Sequence, residues 1–172
     1  MSRSLSLVLL LVLVAASVSA SGYNRKDWPH WEDLDGDCQN TRAEILIRDS
    51  RIPVQFKDRR ECSVVAGEWF GPYTGKTFYR ASDIDIDHLV PLVYAYRAGG
   101  AGWSRAQKLQ FANDPDNLLA VDDQTNQDKG AKPPSQWMPP RRDYSCEYLE
   151  RWQRIEARYA LVTDEVPLVS CP

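Results

Sequence analysis

Only two histidines occur in the chain, and one of them, His88, closes a run in which Asp83, Asp85 and Asp87 alternate with Ser82, Ile84 and Ile86. Such alternation is strand-like and predicts that the three aspartates share one face. Neighbouring carboxylates repel one another unless a cation or a basic partner is present. A solvated edge strand can carry such a run, but it gains nothing from a histidine and the Leu89-Val90-Pro91-Leu92 block that follows. The chemistry that fits is a metal-dependent hydrolytic site with His88 as general base.

Further polar groups follow in order. A second strand opens with Asn117 and continues through Leu118, Leu119, Ala120 and Val121. Residues 122–129 are polar and end at Gly130, which suits a short exposed helix with a glycine C-cap. That helix carries Asn126 and Lys129. The order is therefore strand, strand, helix, with Asp-His at the end of the first strand.

The elements that must hold these groups can be read around them. Asn40 or Thr41 caps an amphipathic helix, with Glu44 three residues beyond Thr41 as a capping box. Val54 to Phe56 and Cys62 to Trp69 read as strands, Gly71-Pro72-Tyr73-Thr74-Gly75 as a tight turn, and Thr77 to Ala81 as the approach to the aspartate run. A small antiparallel meander is expected there. A helix starts at Pro91 and stops at Gly99-Gly100; Ser104 caps another reaching Ala112. Asn113-Asp114-Pro115-Asp116 is a turn. From Asp143 onward, Tyr148, Trp152, Ile155 and Tyr159 recur at helical spacing and form a core stripe. The class is α+β. In Asp33-Leu34-Asp35-Gly36-Asp37 the spacing fails the EF-hand template, because Gly36 comes too early and Cys38 stands where glycine is required. An Asx-rich turn is the better reading. His30, between two tryptophans, reads as packed or surface-lying.

Residues 1–20 have a positive start at Arg3, an apolar stretch and a Val18-Ser19-Ala20 cleavage site, the pattern of a secretory signal peptide. Residues 21–172 then form one domain, extracellular, with no segment apolar enough for membrane insertion. The four cysteines, Cys38, Cys62, Cys146 and Cys171, all lie in the exported part and read as two disulfides. Three pairings are possible; proximity favours Cys38–Cys62 and Cys146–Cys171. A zinc site is a poor alternative without a C-x2-C pair. The whole chain carries a net charge of −3, so a nucleic-acid partner would need clustered basic groups. Lys129, Lys132, Arg141 and Arg142 form one such patch, Arg105 and Lys108 another.

Asp85-Ile86-Asp87-His88-Leu89-Val90-Pro91-Leu92, Phe111-Ala112-Asn113-Asp114 with Asn117-Leu118, and Asn126-x-x-Lys129-Gly130 resemble the secreted HNH endonucleases. These are ββα-metal nucleases related to the C-terminal nuclease domain of the GmrSD restriction enzymes. Asp35-Gly36-Asp37-Cys38-Gln39-Asn40-Thr41-Arg42, Pro72-Tyr73-Thr74-Gly75 and Trp137-x-Pro139-Pro140 are similar too, so the resemblance covers nearly the whole exported chain. It implies a ββα-metal core with surrounding helices, and hydrolysis of phosphodiester bonds in DNA, with RNA as a second candidate substrate. Asp87 and the amide oxygen of Asn126 would hold a divalent metal, with Asp85 as a helper and Asp83 no more than a solvated strand end. Asn126, where some relatives carry histidine, favours Mg2+ or Mn2+ over zinc. His88 would activate water, and Asn117 would tie its strand to the histidine loop and orient the imidazole. Lys129 would either contact a phosphate or simply suit a helix C-terminus. No element for reading bases in a groove is recognisable, so backbone contacts and low sequence specificity are expected. A monomer is expected. The competing reading is a non-catalytic secreted domain that binds calcium or a partner through the N-terminal aspartates; a weaker one is a phosphatase or other metal hydrolase.

Overall fold

The computed structural model describes residues 22–162. The expected export segment and Cys171 lie outside the described residues. Helix α1 (Thr41–Asp49) starts at Asn40, whose side chain accepts a hydrogen bond from the Ala43 backbone N–H at 3.1 Å. Asn40 is thus the cap, and Thr41 is not. The Thr41 hydroxyl instead donates to the Glu32 carbonyl at 2.9 Å and to Asn113 Oδ1 at 2.8 Å.

Strands β1 (Gln55–Phe56), β2 (Val64–Phe70) and β3 (Thr77–Arg80) form one antiparallel sheet in that order. Gly75, in the tight turn between β2 and β3, sits at φ 72°, where glycine lacks the Cβ that would strain the backbone. This is the expected meander, but the aspartate strand that was to continue it belongs to another sheet. A 3-10 turn, Ala81–Asp83, ends the first, and β4 (Ile84–His88) pairs with β5 (Leu118–Asp122) in a second, separate antiparallel pair. Asp83 therefore leaves the strand, and only Asp85 and Asp87 share a face.

Strand β5 is buried along its whole length because it is covered on both sides. Its period of two sends Leu118 and Ala120 into one core with Ile84, Ile86, Leu46 and Trp69. Leu119 and Val121 point into a second core with Leu89, Phe111, Tyr148 and Trp152. Helices α2 (Leu92–Arg97), α3 (Arg105–Ala112), α4 (Asp123–Lys129) and α5 (Ser145–Arg158) complete the fold. Ser104 and Gln107 form the capping box of α3. The buried stripe of α5 is Tyr148, Trp152 and Ile155, as its spacing predicts.

Cys38 and Cys62 are joined, 24 positions apart in sequence. The other expected bond involves Cys171. Among the described residues, no helix is long and apolar enough to cross a membrane.

Candidate active site

Strand β4 runs antiparallel to β5 with Asp85 opposite Val121 and Asp87 opposite Leu119. Helix α4 follows at once. Asp122 caps it by accepting from the Thr125 N–H at 2.9 Å, and Gly130, at φ 53°, ends it. This compact ββα unit lays α4 against the two aspartates. Asn126 Nδ2 donates to Asp85 Oδ2 at 3.1 Å. One turn on, Lys129 Nζ donates to Asp87 Oδ1 and to the His88 carbonyl, both at 2.9 Å.

Lys129 has no exposed side-chain surface. It is an internal cation, so it is not part of the surface patch expected from sequence, and no phosphate reaches its amine in this arrangement. The other oxygen of Asp87, Oδ2, accepts from the Tyr73 hydroxyl at 2.6 Å. Burial raises the Asp87 carboxyl above its ordinary value, while Lys129 and the Tyr73 hydrogen bond oppose the rise. Burial pushes the Tyr73 phenol well up, with the Asp87 charge adding to it, so Tyr73 remains a donor. Burial lowers the Lys129 amine, and Asp87 works against that.

His88 is buried, with Nε2 at 2.8 Å from the Ala112 carbonyl oxygen. A carbonyl only accepts, so Nε2 carries the proton and Nδ1 carries the lone pair. Burial pushes the imidazole down to about 3, which keeps it neutral at ordinary pH. Trp31 lies nearly parallel to the ring, 5.7 Å centre to centre and inclined by 28°. Trp31 itself sits at φ 59°, an unusual conformation for a bulky residue.

Asn117 holds the chain just past His88. Its Oδ1 accepts from the Val90 N–H at 2.8 Å, its Nδ2 donates to the Val90 carbonyl at 3.2 Å, and its own carbonyl accepts from Leu89 at 2.8 Å. The loop after β4 is thereby tied to the start of β5.

A cavity of about 300 Å3 brings Asp87, His88 and Asn126 together, with Tyr23 and Arg25 from the N-terminal segment and Gly130 from the end of α4. Asp85 sits behind Asn126 and is not in the lining. With Nδ2 turned to Asp85, Asn126 has its amide oxygen left over. Each carboxylate oxygen of Asp87 has a second lone pair beyond the one used by Lys129 or Tyr73. Oxygens of this kind could hold a hard divalent cation.

The second group of carboxylates, Asp33, Asp35 and Asp37, is exposed, with oxygens within 4.8 Å of one another. These carboxylates accept the backbone N–H groups of Gly36, Cys38 and Gln39, the bonding of an Asx-rich turn. His30 is half-buried, bonded through Nδ1 to the Trp28 carbonyl at 2.9 Å.

Residues 43–165 match the C-terminal domain of the GmrSD restriction endonucleases. The chain belongs to this family. The GmrSD C-terminal domain match contains every residue of the ββα unit, and it begins after Tyr23, Arg25 and Trp31. An uncharacterized secreted protein of Arthroderma benhamiae is 44% identical over 142 residues, covering 81% of this chain and 68% of that protein. The secreted character of that relative agrees with the export expected for this chain. No solved structure matches the chain.

Several site residues were hidden from sequence reasoning. Tyr73 lay in a motif that reads fully as a turn. Trp31 is 57 positions from His88, and no periodicity links them. Asn113, expected only to cap or turn, also accepts from the Glu32 N–H at 3.2 Å and donates to the Pro29 carbonyl at 2.9 Å, pinning the N-terminal segment beside the site. The asparagine-aspartate-proline sequence gave the turn but not this second task.

Proposed function

We propose that this secreted member of the GmrSD C-terminal domain family is a metal-dependent endonuclease. It hydrolyses phosphodiester bonds of DNA, and of RNA as a second substrate, with little sequence preference. Family membership supports a nuclease. The observation that carries the finer reading is the His88 tautomer: with Nε2 committed to Ala112 at 2.8 Å, Nδ1 is the basic atom of a ring lining the same cavity as Asp87 and Asn126.

In this mechanism His88 Nδ1 takes the proton from a water that attacks phosphorus. The ring must not swing during that transfer. Ala112 fixes one edge, Trp31 covers a face, and Asn117 fixes the following loop. Asp87 and Asn126 are the metal-holding residues, and Asp85 fixes the Asn126 amide so that its oxygen faces away from Asp85. A divalent cation held there would supply Lewis acidity at the phosphate and stabilise the leaving 3′ oxygen. Lys129 and Tyr73 fix the Asp87 carboxylate from inside the protein, and Lys129 also holds the His88 carbonyl. An anionic phosphate beside the ring favours the imidazolium that forms, against burial and the Arg25 charge, which disfavour it.

The reading is tested by incubating the purified protein with supercoiled plasmid in Mg2+ or Mn2+, with and without EDTA. Nicking and linearisation that depend on metal are expected. An intact plasmid under all conditions, or equal cleavage in EDTA, overturns it.

A further inference from the structure

With Lys129 sealed inside the protein, the ββα unit presents no cation of its own to a phosphate. The cavity nevertheless contains one: Arg25, which lines it together with Asp87, His88 and Asn126. Arg25 is exposed, and among the described residues no carboxylate forms an ion pair with it. Two cations of the basic patch expected from sequence are engaged elsewhere. Arg141 is paired to Asp143 at 2.6 Å and lies over Phe70, and Lys132 donates to the Asp128 carbonyl at 2.6 Å.

Arg25 is also held in place. It opens a short 3-10 turn, Arg25–Asp27, capped by Asn24, which accepts from the Lys26 N–H at 3.1 Å. The Arg25 carbonyl accepts from the Trp28 N–H at 3.1 Å. Trp28 is almost fully buried, with its ring 5.6 Å from that of Trp103 and 5.8 Å from that of Phe111. The guanidinium therefore hangs one turn from a core anchor. The Asn113 bonds to Pro29 and Glu32 fix the chain on the other side of that anchor. Tyr23, half-buried beside Trp28 at 6.5 Å between rings, completes this wall of the cavity.

We propose that Arg25, outside the family-matched region, is the residue that binds the substrate phosphate in this site. The N-terminal segment is then part of the active site, and the family-matched domain alone is incomplete. Arginine suits the task because its planar donors match phosphate oxygens two at a time. The inference rests on the nuclease reading above.

The test uses the full exported chain with Arg25→Gln, Arg25→Lys and His88→Ala. Binding of a fluorescein-labelled DNA duplex is followed by anisotropy in EDTA across a salt series, and cleavage is followed in Mg2+. For Arg25→Gln, about tenfold weaker binding and a salt slope lower by about one are expected. kcat/KM should fall with it, while the melting temperature stays unchanged because the side chain is exposed. Arg25→Lys should restore the salt slope and part of the affinity, which a merely structural role would not do. Binding, salt slope and kcat/KM of Arg25→Gln equal to wild type, with His88→Ala inactive, overturn the Arg25 assignment alone. A wild-type protein that neither binds nor cleaves DNA or RNA overturns the nuclease reading and this inference with it.

Discussion

Lys129 and Asp87, 42 residues apart in sequence, form a buried ion pair at 2.9 Å. The same amine donates to the carbonyl of His88, so one side chain fixes two consecutive site residues. Removing one partner of such a pair leaves an uncompensated charge in a medium that solvates it poorly. Lys129→Met is expected to destabilise the protein by about 3–5 kcal/mol in urea unfolding. Replacing both partners, as Asp87→Leu with Lys129→Met, should recover most of that loss and leave the protein inactive. Near-wild-type stability of the single variant would show that the amine is not buried as described.

The His88 ring predicts a specific pH dependence. Its folded value is about 3, against an ordinary value near 6.5, so the unfolded chain binds a proton there that the folded chain does not. The ring's contribution is therefore constant above pH 6.5, and stability is lost as pH falls from 6.5 towards 3. The limiting slope is about 1.4 kcal/mol per pH unit for one proton. Asp87, whose carboxyl is raised, acts in the opposite sense at acid pH. Comparing the metal-free protein with His88→Gln isolates the imidazole. The difference between their unfolding free energies should shrink between pH 6.5 and 4; a constant difference would refute neutral burial of the ring.

Local signals explain why much of the fold around this site is legible in the sequence. The capping residue Ser104 with Gln107, the helical stripe of Tyr148, Trp152 and Ile155, and the order β4, β5, α4 all lie within short windows, where spacing dictates structure. What the sequence hid depends on contacts between distant segments. Residues 122–129 look like an exposed polar helix, yet Thr125 and Lys129 are buried because α4 lies on the aspartate face of β4. Alternation alone extends the strand back through Asp83, whereas the chain turns at Ala81–Asp83 and starts a new sheet. No local signal marks Arg25, and only the burial of Trp28 and the bonding of Asn113 bring it to the cavity.

Asn126 separates metal binding from folding. It is half-buried, and its one protein partner shown is Asp85, through Nδ2 at 3.1 Å. Asn126→Ala should change folding stability by no more than about 1 kcal/mol. The Mg2+ concentration for half-maximal cleavage should rise at least about tenfold, since loss of a supporting group alone typically costs 10–100-fold in metal affinity. A metal titration of cleavage, set beside a thermal melt in EDTA, checks both. A large loss of metal-free stability with an unchanged metal requirement would make Asn126 structural.

In the proposed mechanism His88 Nδ1 is the base that activates water. Its most direct test is the rate at which His88→Ala cleaves a fluorescent DNA duplex at saturating Mg2+, with folding verified by circular dichroism. A general base contributes about 10²–10⁴-fold, so a loss of that size with DNA binding retained is expected. A folded His88→Ala protein that cleaves at the wild-type rate would contradict it.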